Sequence, residues 1–382
     1  MPINLELSKD LEAAVQKAHK VATDVFRPIS RKYDIAEHEY PSELDAFGAD
    51  PVAKELLYPD SNVEAVLNIL ELCWGDLGLT LTIPGNGLGN AAIAAVATPE
   101  QLEKFGGEWA AMAITEPEAG SDSAAIKTTA TLDGDEYVIN GEKIFATAGA
   151  RAKNIVVWAS VDPSAGRAAI KSFVVPRDTP GVKLVRVEHK LGIKASDTAA
   201  ILFENVRVPK ENLLGSPEVN VEKGFAGVMQ TFDNTRPIVA AQALGVARAA
   251  LEQLREILEK EGVEISYDKG AYNQQSAAAD FLALEADWEA AYLLTLKSAW
   301  LIDAKKPNSK EASIAKAKAG RTATAVTLKA VELAGLYGYS QQALLEKWAR
   351  DAKITDIYEG TQQIQQLIIA RRTLNLTSAQ LK

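Results

Sequence analysis

Apolar residues recur at three- and four-residue spacing through the first part of the chain, which is the spacing of one helix face. This pattern predicts several helices between Leu11 and Glu103, separated from one another by prolines. From Ala113 to Val208 the period changes to two, as in Tyr137-Val138-Ile139-Asn140, and this alternation predicts strands. Turns are predicted at three dipeptides of that region: Asp133-Gly134, Asn140-Gly141 and Pro180-Gly181.

The helical period returns beyond Gly224 in four long stretches, for which four antiparallel helices are the simplest packing. Within the third stretch, we interpret the Lys-Ala run from Ala315 to Gly320 as a solvated helix face. The prediction is an α+β fold with an N-terminal helical domain (1–112), a central β-barrel-like domain (113–220) and a C-terminal four-helix bundle (221–382). The four stretches are Val239 to Leu258, Gln274 to Ala304, Lys310 to Gly335 and Thr361 to Leu374.

The order of helices, strands and helices differs from the βαβ alternation expected of a dinucleotide-binding sheet. The stretch Gly85-Asn86-Gly87-Leu88-Gly89 superficially resembles a phosphate-binding loop. No predicted strand precedes it, however, and its glycine spacing does not match that fingerprint. We interpret it as a loop between two helices.

Composition narrows the classes of function. The chain has 382 residues, of which 47% are hydrophobic and 24% charged, and its net charge is -10. This length predicts two or three structural units, and the negative charge argues against general binding to nucleic acid or to an anionic membrane. No stretch approaches the roughly 20 apolar residues that span a bilayer, and the first residues lack the pattern of a secretory signal. The expectation is a soluble, cytoplasmic protein.

The cysteine and histidine content suggests no metal site. Cys73 is the single cysteine, which excludes an intramolecular disulfide and a multi-cysteine zinc or iron–sulfur site. His19, His38 and His189 are too scattered along the chain to suggest metal-ligand spacing. No metal is therefore predicted.

One carboxylate is a candidate general base. Glu359 stands between Tyr358 and Gly360 at an apparent helix start, within the run Arg350 to Gln365. A carboxylate removes a proton α to a carbonyl when its basicity is raised and the enolate is stabilised, which generally requires a desolvated pocket. From the pattern alone, an exposed glutamate favoured by the helix dipole remains the alternative.

The run around Glu359 and the segment Ala113-Ile114-Thr115-Glu116-Pro117-Glu118-Ala119-Gly120-Ser121-Asp122 together resemble the paired signatures of the acyl-CoA dehydrogenases. The segments Lys190 to Thr198 and Asn205 to Pro209 also resemble family segments, in the same order, so the resemblance covers nearly the whole chain. It implies FAD as cofactor, an acyl-CoA substrate, an electron-transfer flavoprotein as electron acceptor, and a tetramer. In that family the glutamate takes the α-proton while the β-hydrogen leaves as hydride to flavin N5, so the resemblance implies that Glu359 is the base and that trans-2-enoyl-CoA is the product.

The resemblance also implies contacts with the flavin and the substrate. Small and hydroxylated residues suit a flavin ring, because their backbone and hydroxyl groups meet its carbonyls and nitrogens without filling the site. The implied flavin contacts are Thr115, Gly120, Ser121, Phe145, Thr147, Thr361 and Gln363. The implied substrate contacts are Ser121, Asp233, Arg236, Tyr358 and Gly360.

Each of these groups has a plain structural alternative. Ala119 to Asp122 could form an ordinary turn. Asp233 and Arg236 could form a structural salt bridge near a helix start. Thr361 could cap a helix without touching a cofactor.

Three positions depart from the family pattern. Family tetramers support each flavin from a neighbouring subunit with an arginine, a glutamine and a glycine, and Glu264, Glu332 and Leu336 stand there in this chain. An arginine about 4 Å from a pyrophosphate attracts it by on the order of 4 kcal/mol per charge, and a glutamate repels it by a similar amount. The alternative is an alignment shifted by a loop insertion, with another cation substituting.

The position of the base differs among members of the family. Some members carry it on an earlier helix, at a position that aligns here with Thr235, and threonine cannot serve. Glu359 is thus the family-type base that remains.

These observations leave several hypotheses. The first is a flavin-dependent acyl-CoA dehydrogenase. The departures at the three positions add the hypothesis of a hetero-oligomer, with Glu359 and the ring pocket from this chain and the arginine from a related partner. Similar α2β2 arrangements occur among actinobacterial family members that act on steroid side chains. The second is a non-catalytic subunit that completes a partner's active site, although retention of the Tyr358-Glu359-Gly360 run argues against a pure scaffold. A third is an enoyl-CoA reductase or a flavin monooxygenase on the same fold.

Overall fold

A computed structural model describes residues 6–85, 87–219, 226–377 and 380, and for residues 226–230 it describes the backbone alone. Short helices form the N-terminal part, and a π-helical turn at Ala22–Phe26 joins the first two. None of the described helices is long and apolar enough to cross a membrane. The helices are α1 (Lys9–Val21), α2 (Arg27–Ile35), α3 (Glu43–Ala49), α4 (Pro51–Leu57), α5 (Asn62–Gly75), α6 (Leu77–Thr80), α7 (Leu88–Val96) and α8 (Pro99–Phe105).

Helix α5 is the centre of the N-terminal core. It is buried over most of its length, as expected of a helix that is apolar on nearly every face. The Ser61 hydroxyl begins it by accepting from the Glu64 backbone N–H at 3.4 Å. Asp76 follows it and begins α6 by accepting from the Leu79 N–H at 2.8 Å. Two short side-chain caps thus fix the direction of this part of the chain.

A seven-stranded sheet forms the centre of the chain, with the strand order β1-β4-β2-β3-β7-β6 and β5 paired to β4. The β1–β4 and β2–β4 pairs are parallel, and the other pairs are antiparallel. Every residue of β4 is buried, so this strand lies at the middle of the sheet's core. The strands are β1 (Ala110–Ala113), β2 (Thr129–Asp133), β3 (Glu136–Thr147), β4 (Asn154–Ser160), β5 (Ile170–Pro176), β6 (Val182–Val187) and β7 (Thr198–Pro209).

Two of the three predicted turns are confirmed. Asp133-Gly134 joins β2 to β3, and Pro180-Gly181 leads into β6. The prediction at Asn140-Gly141 is wrong, because both residues lie inside β3, where its pairing with β7 shifts register after Ile139. A Cβ at Gly141 would collide with the side chain of Thr128. Glycine serves a close approach at a bulge there rather than a turn.

The C-terminal part confirms the four predicted helical stretches and adds others. Helix α13 was not predicted, yet it packs against both α9 and α11, whereas α14 packs against α11. The order of N-terminal helices, central sheet and C-terminal bundle confirms the predicted α+β fold. The helices are α9 (Ala226–Lys260), α10 (Ser276–Asp303), α11 (Ser309–Leu333), α12 (Leu336–Tyr339), α13 (Leu345–Thr355) and α14 (Gln362–Leu374).

Helix α9 begins earlier than predicted and continues through Pro237. A proline inside a helix removes the N–H that would bond to the carbonyl four residues earlier, here that of Asp233. The Asn308 side-chain amide supplies the missing donor, at 2.9 Å from the Asp233 carbonyl oxygen. A neighbouring segment thus satisfies the group that the proline leaves free, and the helix persists.

A buried charged network joins the three parts of the chain. The Lys347 ammonium on α13 contacts Asp76 at 2.7 Å and also bonds to Asp351. Asp351 accepts from the backbone N–H of Ile193, and Asp76 accepts from the Ser30 hydroxyl. The three charged side chains are at most 3% exposed. Such a group is stable only while its partners remain together.

Candidate active site

A cavity of about 1410 Å³ lies between the sheet's loops, α9 and the segment that joins α13 to α14. It is larger than the roughly 300–1,000 Å³ of a typical small-molecule site. Most of the residues predicted for a flavin and acyl-CoA site line it: Thr115, Gly120, Ser121, Phe145, Thr147, Arg236, Tyr358, Glu359, Gly360 and Thr361. Asp233 and Gln363 are not among its lining residues.

Glu359 adopts a left-handed backbone conformation (φ 53°), and Gly360 follows it with φ 98°. A non-glycine residue in this region carries strain, which persists where the surroundings hold it. Gln365 on α14 donates to the Glu359 carbonyl at 3.1 Å and to the Gly360 carbonyl at 3.0 Å. A Cβ at Gly360 would lie 2.6 Å from the same Gln365 amide, so glycine is required there. The tight turn aims the Glu359 carboxylate into the cavity.

The Glu359 carboxylate is partly accessible from the cavity but closely surrounded by protein. The Thr235 hydroxyl on α9 donates to its Oε2 at 2.6 Å. Burial raises the pKa of Glu359, while the Thr235 hydrogen bond and the positive charges of Arg236 and Lys316 oppose that rise. The balance leaves a carboxylate more basic than an exposed glutamate, as proton abstraction requires.

Arg236 forms the salt bridge that the sequence left open. Its side chain is 2% exposed, and its Nη1 lies 2.7 Å from Asp233 Oδ1. The Ser309 hydroxyl also donates to Asp233, at 3.2 Å. Among the described residues, the buried Nε of Arg236 has no hydrogen-bond partner. Asp233 is therefore engaged in a structural contact, while Arg236 lies at the cavity wall.

The loop predicted to hold the flavin ring rests on a buried ion pair. Glu116 and Ala119 exchange backbone hydrogen bonds across a tight turn at Pro117-Glu118, whereas the run Ala119 to Asp122, for which a turn was the alternative, follows it with a bend at Gly120-Ser121. Beneath it, the Glu116 carboxylate contacts the Lys143 ammonium at 2.7 Å, and both side chains are nearly fully buried. On the neighbouring strand, Phe145 has φ 57° and keeps 59% of its surface exposed. This arrangement fixes the loop and leaves hydroxyls and an aromatic face along the cavity.

Thr361 occupies the N-cap position of α14, but its side chain makes no capping hydrogen bond. The Thr361 side chain therefore leaves the first backbone N–H groups of this 13-residue helix without a cap, and such N–H groups can bind an anion. Gln363 is exposed and lies instead in a shallow depression beside Arg321 and Lys353. The hydroxyl-lined loop and the uncapped helix start together fit a flavin dinucleotide.

The three departures from the family pattern are on the surface. Glu264 pairs with Lys269 at 3.0 Å, and Glu332 pairs with Lys329 at 2.7 Å. Leu336 begins α12 and is 90% exposed. Lysines of the same chain thus accompany both glutamates, and Lys269 is a cation close to the position where the family has its arginine.

The histidines are less scattered in space than in sequence. His38 Nε2 lies 3.3 Å from His189 Nδ1, which in turn lies 3.1 Å from Glu37 Oε2. The expectation of scattered histidines is wrong for this pair, because contacts across 151 residues cannot be seen in spacing. His19 lies elsewhere, at 2.9 Å from Glu71.

Two family models match most of the chain, the acyl-CoA dehydrogenase middle domain at residues 111–206 and the acyl-CoA dehydrogenase C-terminal domain at residues 222–374. The chain belongs to the acyl-CoA dehydrogenase family. It is an enzyme of the flavin-dependent oxidoreductase class, and its cofactor is FAD. The curled central sheet between helical parts is the fold of this family.

Relatives match this chain over nearly its whole length. It is 35% identical to a short-chain specific acyl-CoA dehydrogenase of Clostridium acetobutylicum, over 96% of this chain and 99% of that protein. It is 34% identical to an NADH-dependent acryloyl-CoA reductase of Anaerotignum propionicum, over 97% and 96%. The solved butyryl-CoA dehydrogenase of Megasphaera elsdenii is 31% identical with a TM-score of 0.84, over 97% of this chain and 100% of that one.

One further solved structure concerns electron transfer. A chain in a structure described as the electron transferring flavoprotein of Acidaminococcus fermentans is 32% identical to this one, with a TM-score of 0.87. The match covers 97% of this chain and 100% of that one.

Three residues at the site were missed from the sequence. Gln242 lines the cavity, and its Oε1 accepts from the Tyr358 hydroxyl at 2.5 Å. Gln365 holds the turn at Glu359, and Lys316 donates to the Gly360 carbonyl at 2.6 Å. The interpretation of the Lys-Ala run as a solvated face is wrong, since Lys316 is fully buried. Its place in a stripe of alanines at helical spacing was the signal that could have found it.

Proposed function

We propose that this chain removes hydrogen from the Cα–Cβ bond of a short-chain acyl-CoA, with Glu359 as the base. The observation that carries the proposal is the Glu359 carboxylate, held in a left-handed turn at the cavity and bonded to Thr235. Its raised pKa supports the same role. Relatives named short-chain specific acyl-CoA dehydrogenases support the choice of substrate.

In the proposed reaction, the Glu359 carboxylate accepts the α-proton, and the electron pair of the broken Cα–H bond forms the double bond. Bound FAD supplies the acceptor for the β-hydrogen, which leaves as hydride. The hydroxyls of Thr115, Ser121 and Thr147 would hold the ring, and the start of α14 at Thr361 would face its phosphates. Electrons would then pass to an electron-transfer flavoprotein. The oxidised product is the trans-2-enoyl-CoA.

The test is made on the chain loaded with FAD. Addition of butyryl-CoA without oxygen should bleach the flavin's visible absorbance, and an electron-transfer flavoprotein or a dye should restore it. A loaded chain that stays oxidised with acyl-CoAs from four to eight carbons would contradict the proposal. Rapid re-oxidation by oxygen with substrate hydroxylation would instead support a monooxygenase.

The acryloyl-CoA reductase relative favours a second candidate, reduction of an enoyl-CoA. The same residues serve both directions, because Glu359 would return the proton to Cα. Two rates separate the candidates: oxidation of butyryl-CoA by the oxidised enzyme with an electron acceptor, and reduction of crotonyl-CoA by the reduced enzyme with an electron donor. If enoyl-CoA reduction is much faster than acyl-CoA oxidation, the chain is a reductase.

Gln242 is expected to limit the length of the acyl chain. It lies two helical turns beyond Thr235 on α9, about 10.5 Å along the axis, and its side chain occupies cavity space. In Gln242→Ala we expect the ratio of kcat/KM for octanoyl-CoA to that for butyryl-CoA to rise by about 10- to 100-fold. Gln253→Ala on the same helix is the control, because Gln253 accepts from the Leu344 N–H instead. An unchanged ratio would remove Gln242 from this role.

We also propose that a related subunit completes the flavin site in a hetero-oligomeric tetramer. Glu264 and Glu332 support this, since acidic groups disfavour a phosphate from an identical neighbour. The chain purified alone should then carry little FAD and regain it on co-expression with a related chain. A content near one FAD per chain, with full activity, would show that a cation such as Lys269 substitutes for the family arginine. That result would overturn the proposal of a hetero-oligomer.

A further inference from the structure

Lys316 is a buried cation that the reaction does not use directly. It lies on α11 between Ala312, Ala315 and Ala319, all buried. Its side chain has no exposed surface, and its ammonium donates to the Gly360 carbonyl at 2.6 Å. A buried ammonium is costly unless it serves a specific contact. This contact is with a backbone carbonyl, in the turn that carries Glu359.

The charges around Lys316 come from two other parts of the chain. Asp356 and Glu359 face it from the segment between α13 and α14, and Arg236 faces it from α9. Burial lowers the pKa of Lys316 to about 8, with the two carboxylates opposing this and Arg236 adding to it. Asp356 is already engaged by the Gln362 amide and by Lys353 at 3.4 Å. Of these two carboxylates, Glu359 is the one that lines the cavity.

We propose that Lys316 is a positioning residue for Glu359, which anchors the Glu359-Gly360 turn through the Gly360 carbonyl and stabilises the ionised carboxylate by its charge. This inference rests on the proposed function of Glu359 as base. Gln365 donates one N–H to each of the Glu359 and Gly360 carbonyls, and the Lys316 ammonium is a second donor to the Gly360 carbonyl, from a different helix. Lys316 touches neither substrate nor cofactor in this role.

The sign of the electrostatic effect follows from the charges. The positive charge of Lys316 lowers the pKa of Glu359, against the larger effect of burial. Without that charge, Glu359 should bind a proton up to a higher pH. The acid limb of the kcat profile should then move to higher pH, because a protonated Glu359 cannot accept the α-proton.

The experiment compares Lys316→Met with Lys318→Met. Methionine keeps most of the volume but removes both the donor and the charge. Lys318 is two residues away on α11 and pairs with Asp287 at 2.6 Å, so it is the matched control. In Lys316→Met we expect kcat to fall by about 10²-fold, because the base is less well placed. KM should change little, and the control should match the wild type.

A second readout needs no turnover. Infrared difference spectra against Glu359→Gln isolate the Glu359 carboxyl band in the folded chain. That band should titrate at higher pH in Lys316→Met than in the wild type and in Lys318→Met. An unchanged titration in a folded Lys316→Met chain would overturn the proposal. Failure of the proposed function would appear differently, as a wild-type chain that does not oxidise acyl-CoA while its Glu359 band still responds to Lys316.

If Lys316→Met does not fold, the wild type itself provides the test. The carboxylate band of Glu359 should shift as Lys316 loses its proton, with a midpoint near its pKa of about 8. Lys318→Met should show the same shift. A band that stays constant through this pH range would refute the coupling.

Discussion

In Glu359→Gln, acyl-CoA oxidation is expected to slow by about 10⁴-fold while the chain still folds and binds FAD. The amide has the size of the carboxylate and can keep the hydrogen bond from Thr235, which is 2.6 Å away. It cannot accept the α-proton, so the deprotonation step loses its base. Single-turnover flavin reduction by butyryl-CoA measures the effect directly, since it precedes electron transfer to any partner.

The control for this variant is Glu261→Gln, an exposed glutamate just beyond the end of α9. It changes the net charge by the same amount and should leave flavin reduction unchanged. Near-normal reduction in Glu359→Gln with full FAD content would remove Glu359 as the base. In that case the non-catalytic alternative would regain support, because no other carboxylate was predicted for this role.

Removal of Lys347 is expected to lower the free energy of unfolding by about 3–5 kcal/mol. In Lys347→Met the carboxylates of Asp76 and Asp351 remain buried without the cation between them. Burial already raises the pKa of Asp351, and the Lys347 charge opposes that rise. Loss of Lys347 therefore favours protonation of Asp351 or unfolding. Urea denaturation followed by circular dichroism measures the change.

Lys32→Met is the comparison for that loss. Lys32 also pairs with a carboxylate, Glu43 at 2.6 Å, but its side chain is more than half exposed. Surface pairs contribute about 0–1 kcal/mol, so this variant should stay close to the wild type. Equal losses in the two variants would show that burial does not make the Lys347 network special. If Lys347→Met yields no soluble chain, Asp351→Asn replaces it. This variant keeps Lys347 and Asp76 paired, so its free energy of unfolding should fall by less than the about 3–5 kcal/mol expected for Lys347→Met.

The sequence predicted the order of the fold because periodicity reports which residues face a core. Helix α13 was not predicted from its periodicity, and the reason is physical. Among its buried residues are Lys347 and Asp351, whose charges hide the apolar period formed by Leu345, Trp348 and Ala352. The same cause hid Lys316 on α11. Whether a charged side chain is buried depends on partners that lie far away in the sequence. A pattern of neighbouring residues does not include those partners.

The site was predicted in its local parts and missed in its distant ones. Glu359 and Gly360 are adjacent, so the turn that carries the carboxylate could be placed from the family resemblance. The contacts of Glu359 with Thr235 and of Gly360 with Lys316 join separate helices. Thr235 was considered only as a failed base, yet it is a hydrogen-bond donor to the base. Such roles depend on packing between elements rather than on spacing.

The network around Lys347 also bears on how the chain is made. Its members come from α2, from the start of α6, from the loop before β7 and from α13. Synthesis from the N-terminus produces Ser30 and Asp76 long before Lys347. It likewise produces α5 before α9, the helix against which α5 packs. Until then the N-terminal helices hold an unpaired carboxylate and uncovered apolar surface. Ribosomes that stop before α13 would thus release an aggregation-prone fragment rather than a smaller folded protein.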